Sequence, residues 1–163
     1  MANTLPKIYF VDVYILPDEP VMTADPYNLA RFVDAQNAGG TYERALGELR
    51  RGQKTSHWMW FVFPQIAGLG QSSTSRFFAI SSLEEAKAYL RHGVLGPRLI
   101  ESAQIVADIE ERTAEQIFGG IDAQKLRSSM TLFSRAAPEE SVFEQVLERY
   151  FGGVADAATD ARI

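Results

Sequence analysis

The sequence predicts an all-α protein: a compact single-domain bundle of six to seven helices, preceded by an N-terminal extended strand or arm. Three observations carry that prediction. Capping residues followed by apolar residues at three- and four-residue spacing recur from residue 25 to residue 151. Only one stretch, near the amino terminus, has the β-branched and aromatic run of a strand bounded by prolines. At 163 residues and 46% hydrophobic content, the chain has the length of one domain and enough apolar material for one core.

Residues 1–24 read as an extension. Ile8-Tyr9-Phe10-Val11-Asp12-Val13-Tyr14-Ile15-Leu16 is the strand, between Pro6 and Pro17. A lone strand has no partner in a helical chain, so it packs along a groove, pairs with another copy, or stays a loosely held arm. Pro17-Asp18-Glu19-Pro20 then reads as a linker. The helical domain is expected over 25–155. Asp25-Pro26 starts the first helix, with a carboxylate to cap free amides and proline at the first position. Its stripe of Leu29, Phe32, Val33 and Gln36 ends at Gly39-Gly40. Thr41 caps a second helix carrying Tyr42, Ala45, Leu46 and Leu49, which Gly52 stops.

Residues 58–63 show no period, so a buried strand and a buried helical turn are equally compatible with them, and Pro64 ends either. Ser82-Leu83-Glu84-Glu85 has the form of a capping box before Ala86, Tyr89 and Leu90. Gly96-Pro97 restarts the chain into a longer helix through Leu99, Ala103 and Val106, and Thr113 caps a short one closing at Gly119-Gly120. Asp122 begins a helix with Leu126, Met130 and Phe133 on one face. Pro138 starts the last, with Glu139 and Glu140 in its first turn and Gly152-Gly153 as its stop. The tail, 156–163, is small and polar enough to fray. No period of repeats runs along the chain, so a solenoid is not expected.

Composition excludes several function classes. The net charge of −5, from 21 acidic and 16 basic residues, offers no global field for a phosphate backbone, so nucleic acid is disfavoured as a partner. A local basic strip at Arg50, Arg51 and Lys54 is the exception. Without cysteine there is no disulfide framework, thiolate nucleophile or zinc–sulfur site. Two histidines, His57 and His92, stand far apart without ligand-spaced carboxylates, so no metal and no cofactor is expected. No signal-like or membrane-spanning stretch is apparent, and a cytoplasmic location with no membrane contact is expected.

Lys54-Thr55-Ser56-His57-Trp58-Met59-Trp60-Phe61-Val62-Phe63-Pro64-Gln65 is the densest cluster of large rings. Such a run belongs in a core, yet its polar edges mark where the chain emerges. Lys54, His57 and Gln65 border an apolar wall on which a ligand could stack at Trp58 or Trp60. The same side chains would equally satisfy backbone groups around a crowded core. Gly68 to Arg76 offers flexible backbone, four hydroxyls from Ser72 onward and a guanidinium, fitting either an anion cradle or a solvated loop. Lys125 and Ser128 are candidates to face the same cavity. Ser129, four residues from Lys125, has the spacing of a serine–lysine pair, against which stands helix packing. Asp34, Glu43 and Glu48 lie on amphipathic helices and read as mostly solvated. His92 reads as a cation at a helix C-terminus.

The stretches Asp25-Pro26-Tyr27 through Arg31-Phe32-Val33-Asp34-Ala35-Gln36, His57-Trp58-Met59-Trp60-Phe61-Val62-Phe63-Pro64-Gln65 with Gly68-Leu69-Gly70, Glu85-Ala86-Lys87-Ala88-Tyr89-Leu90 and Lys125-Leu126-Arg127-Ser128-Ser129-Met130-Thr131-Leu132-Phe133 resemble a family of small bacterial proteins of unknown function. Members of that family are often mislabelled calpastatin. The resemblance runs from about Asp25 to Thr159 and implies a compact all-α fold, with no established activity or catalytic residue to carry over. The calpastatin label implies nothing here, because a calpain inhibitor would be a long disordered chain.

Two functions follow as expectations. The first is a pocket walled by Trp58 and Trp60 for a small anionic, nucleotide-like ligand, with Lys54 and Arg76 meeting charge, His57 and Gln65 orienting polar edges, the hydroxyls from Ser72 to Ser75 completing an anion cradle, and His57 as the acid–base residue of a hydrolysis. The second is a non-enzymatic interaction module that uses the N-terminal strand, or a helix face, to recruit a partner or form a homo-oligomer.

Overall fold

The computed structural model describes residues 24–163, and every regular element among them is helical. In chain order these are α1 (Ala30–Asn37), a 3-10 turn (Ala38–Gly40), α2 (Thr41–Arg50), α3 (Met59–Val62), α4 (Ser73–Phe77), α5 (Leu83–Arg91), α6 (Leu95–Asp108), α7 (Ala114–Phe118), α8 (Gly120–Ala136), α9 (Val142–Phe151) and α10 (Ala157–Asp160). The strand expected at residues 8–16, and any pairing of copies through it, lie outside the described residues.

All seven expected helices are present, with shifted ends. Asp25 does cap, its two carboxylate oxygens accepting from the Leu29 and Ala30 amides at 2.7 and 3.0 Å, but residues 26–28 turn first and α1 begins only at Ala30. Gly40, in the left-handed region at φ 68°, is the residue before α2; Thr41 instead donates its hydroxyl to the Ala38 carbonyl. Gly96-Pro97 lies inside the first turn of α6, and α8 starts at Gly120 rather than Asp122. Pro138 sits in a turn, and α9 waits until Val142. The ambiguous aromatic stretch forms the single turn of α3, and the hydroxyl run forms α4.

The carboxyl-terminal residues do not fray. Asp156 caps α10 by accepting from the Thr159 amide at 3.0 Å and from its hydroxyl at 2.6 Å. Ser128 and Gln124 of α8 donate to the same carboxylate at 3.2 and 3.1 Å, and Arg135 of α8 pairs with Asp160 at 2.9 and 3.0 Å. Composition alone understated this segment, because its anchors lie on a helix thirty residues earlier.

The longest helix, α8, is the hub: α5, α7, α9 and α10 all pack against it, while α6 packs on α2, α5 and α9. An aromatic chain threads the core from Phe32 of α1 to Tyr89 of α5 (5.1 Å, edge-on), Phe133 of α8 (5.4 Å) and Phe143 of α9 (5.9 Å). Each such pair adds about 0.5–1.5 kcal/mol beyond burial of its area. Two polar anchors then fix the loops. Arg31, half-buried on α1, donates to the carbonyls of Tyr27, Asn28, Phe77 and Ala79 and pairs with Glu85 at 2.9 Å. Ser82 caps α5 as expected, its hydroxyl accepting from the Glu85 amide at 3.1 Å, while the Glu85 carboxylate accepts from the Ser81 amide and hydroxyl rather than from the Ser82 amide. Gln36 donates to the Phe61 carbonyl at 2.8 Å and holds α3 against α1.

Candidate functional site

Residues 54–58 leave the core by way of Glu48. This α2 carboxylate is buried and accepts from the Thr55 amide (2.7 Å), the Ser56 amide (3.0 Å), the Ser56 hydroxyl and the Trp58 indole (2.9 Å). Burial pushes its pKa upward, but the donors from Ser56, Thr55 and Trp58 outweigh burial and hold it down at about 2. Glu48 is therefore an ionised structural anchor, not the solvated carboxylate expected from the helix pattern. The signal was present: Glu48 shares the inward face of α2 with Ala45 and Leu49.

Beyond this anchor the predicted residues converge on three adjoining hollows. Lys54, His57, Trp60 and Asp122 line one of about 360 Å³, closed by Gly119 and Gly120 at the start of α8. Gln65, Lys125 and Ser128 line a second of about 490 Å³, which shares Gly120 and Ile121 with the first. Trp60, Gln65, Ser75 and Arg76 line a third of about 110 Å³. Trp60 thus borders the first and third, and Gln65 the second and third.

Charge in the first hollow is organised by a residue that the sequence marked only as a helix start. Asp122 lies 2.8 Å from the Lys54 ammonium and 3.7 Å from that of Lys125. Lys54 also donates to the Ser56 carbonyl at 2.6 Å. Lys125 stands over the Trp60 ring, 4.8 Å from its centre. Two cations share one carboxylate, so a positive charge is in excess. The amino terminus of α8 adds to it, since Gly119 supplies no side-chain cap. His57 is exposed at this hollow.

Other expected site residues are placed elsewhere. Trp58 is 0% exposed, with its indole bound to Glu48 and its ring packed on Phe63, so it stands behind the wall and offers no stacking surface. Ser72 is the cap of α4, accepting from the Ser75 amide at 3.1 Å and donating to the Ser75 hydroxyl at 2.9 Å, and it lines none of these hollows. Ser128 is committed to the Gln124 carbonyl and to Asp156. Ser129 is fully buried with its hydroxyl unpartnered among the described residues, while Lys125 turns to Asp122 and Trp60, so the two form no nucleophile pair. His92 is also corrected: its Nδ1 lies 3.1 and 3.3 Å from the Val94 and Leu95 amides, an acceptor's place at the start of α6 rather than a cation's at the end of α5.

No group of three or more metal-ligating side chains, and no helix long and apolar enough to cross a membrane, occurs among the described residues. No protein of curated function matches the chain. A crystal structure of the conserved hypothetical protein Rv1873 from Mycobacterium tuberculosis is similar at 50% sequence identity, covering 84% of this chain and 96% of that one with a TM-score of 0.81. Its fold is therefore shared. Over residues 26–163 the sequence matches the model of a family described as protein of unknown function, DUF1810, and the chain belongs to that family.

Proposed function

We propose that this protein, in the cytoplasm, binds a small anionic molecule carrying a ring, of the class of nucleotide derivatives, where the three hollows adjoin, and that hydrolysis is the reaction its side chains suit best. The observation that carries this reading is that Lys54, His57 and Trp60 share one hollow with the uncapped amino terminus of α8, while Asp122 ties Lys54 to Lys125. Two ammonium groups and a helix terminus attract an anion. Trp60 offers ring surface beside them, and Gln65 and Arg76 extend the polar border through the third hollow. In this reading His57 is the acid–base group, since imidazole is the side chain best suited to proton transfer near neutral pH.

A thermal-shift screen against nucleotides, sugar phosphates and nicotinamide metabolites tests the proposal. A ligand at a hundred times its Kd stabilises by about 2.7 kcal/mol, which at ~2–4 °C per kcal/mol raises the Tm by roughly 5–11 °C. His57→Ala and Arg76→Ala should abolish the shift while leaving the unliganded Tm nearly unchanged, because both residues are exposed. A cooperatively melting protein that shifts with no compound in the panel refutes the reading.

The alternative is a non-enzymatic interaction module. What favours it is a groove of about 670 Å³ along α6, floored largely by apolar side chains and sharing no lining residue with the three hollows.

A further inference from the structure

The third hollow is walled by the loop between α3 and α4, which tertiary contacts hold in place. The Ala67 amide donates to the Ile80 carbonyl and the Ile80 amide to that of Gln65, both at 2.8 Å, so residues 65–67 are pinned beside Ile80. Beyond them the chain needs two glycines. Gly68 has a φ of 98°, which L side chains rarely adopt, and a Cβ there would stand 2.9 Å from Nε of Arg162. A Cβ on Gly70 would overlap the Ser75 side chain. The loop backbone therefore lies against α4 at one point and against an arginine of the carboxyl-terminal segment at another. That arginine is placed by α10: its Nη1 donates to the Ala158 carbonyl at 2.8 Å, and Asp156 binds the same turn to α8.

We propose that the third hollow seats a terminal phosphate of the ligand, met by Arg76 and Arg162, so that the rest of the ligand runs across Trp60 toward His57; this rests on the nucleotide reading above and adds the ligand's orientation and a further binding residue. No side-chain carboxylate lines this hollow. Neither arginine is paired with one among the described residues, whereas Lys54 and Lys125 share Asp122. The positive charge at Arg76 and Arg162 is thus the less compensated of the two cationic groups.

Charge and size select the same group. A phosphate monoester carries about −1.5 to −2 charges near neutral pH on three acceptor oxygens, and two guanidinium groups supply forked donors of matching sign. At about 110 Å³ the hollow equals the liquid share of roughly four waters, at about 30 Å³ each. A phosphate fits that space, and a base with its sugar does not. The larger hollows, of about 360 and 490 Å³, are left for the ring-bearing part, and Trp60 borders both the small hollow and the one that holds His57. The Gly68 and Gly70 amides donate to no backbone acceptor among the described residues.

The two indole N–H groups provide a reporter and its control: that of Trp58 is bound to Glu48, whereas that of Trp60 has no partner among the described residues. In ¹H–¹⁵N spectra of the full-length protein, inorganic phosphate titrated at constant ionic strength and about pH 7.5, where it is mostly dianionic, should move the Trp60 indole and Gly68 amide resonances saturably and leave the Trp58 indole in place. Arg76→Gln and Arg162→Gln should each raise the phosphate Kd at least ~10-fold, since each removes a charge-assisted contact. Both arginines are exposed, and an undisplaced Trp58 resonance shows that each variant keeps its fold. A Trp60 resonance that phosphate does not move, or that sodium chloride moves equally, overturns the proposal. So does an unchanged Kd in either variant, and acetate bound as tightly as phosphate would assign the seat to a carboxylate instead. Movement centred on Gly119 and Gly120 and lost in Lys125→Gln would put the anion at the start of α8, overturning this orientation while the nucleotide reading stands. Phosphate binding lost in both arginine variants, in a protein whose Tm responds to no nucleotide, would keep the phosphate seat and refute the nucleotide reading alone.

Discussion

Glu48 shows what one side chain decides. Its four donors all come from residues 55–58, so this one ionised carboxylate gathers the loop between Lys54 and Trp58, beside the bond from the Lys54 amide to the Ile117 carbonyl at 2.7 Å. Its folded pKa, about 2, lies below the ordinary 4.5. A depressed carboxylate stabilises above its unfolded pKa and loses that contribution as pH falls through the folded one, so the loss here runs from near pH 4.5 down to about 2. The shift corresponds to on the order of 3 kcal/mol at neutral pH. Glu48→Gln should therefore destabilise the protein by about 3 kcal/mol at pH 7 in urea unfolding, and flatten the acid limb of its stability profile. A variant as stable as the parent at pH 7 would show that the loop has another anchor. The inward placement of Glu48 was legible from Ala45 and Leu49. Its four partners were not, since two backbone amides carry no mark in a sequence.

Between elements, α5 and α6 approach closely at Gly96. A Cβ on Gly96 would overlap the Leu90 carbonyl oxygen, so these helices meet backbone to backbone at this point. Gly96→Ala should cost at least ~1–3 kcal/mol, the range for overpacking. Hydrogen exchange should rise along α5 and α6 while α9 keeps its protection; a fully tolerated alanine would mean that α6 can slide. Helix starts at this scale were misread where proline was taken as the first helical residue. Proline's fixed φ suits a first turn or a preceding turn equally well, and at Pro26 and Pro138 the chain turns before the helix forms. Capping hydroxyls at Ser82 and Thr113 were read correctly, because their hydrogen bonds are local.

For the whole molecule, one aromatic chain from α1 to α9 passing over α8 makes a single cooperative unit the expectation. Both tryptophans lie within residues 58–60, so their fluorescence reports on the α3 region while far-UV circular dichroism reports on all the helices. The two signals should share one midpoint in thermal and urea unfolding. An earlier fluorescence transition would mark α1–α3 as a separate unit. By itself the sequence determined the helical class, the seven helices it marked, the caps at Ser82 and Thr113, and the crowding around residues 58–63, since all of these depend on periodicity and short-range hydrogen bonds. Only the tertiary structure decided that Trp58 is sealed and Trp60 exposed to the hollows, that Asp122 joins Lys54 to Lys125, and that Asp156 binds the last turn to α8. Each of those rests on which distant helix faces meet, and the low dielectric and close packing of that meeting carry no local signature.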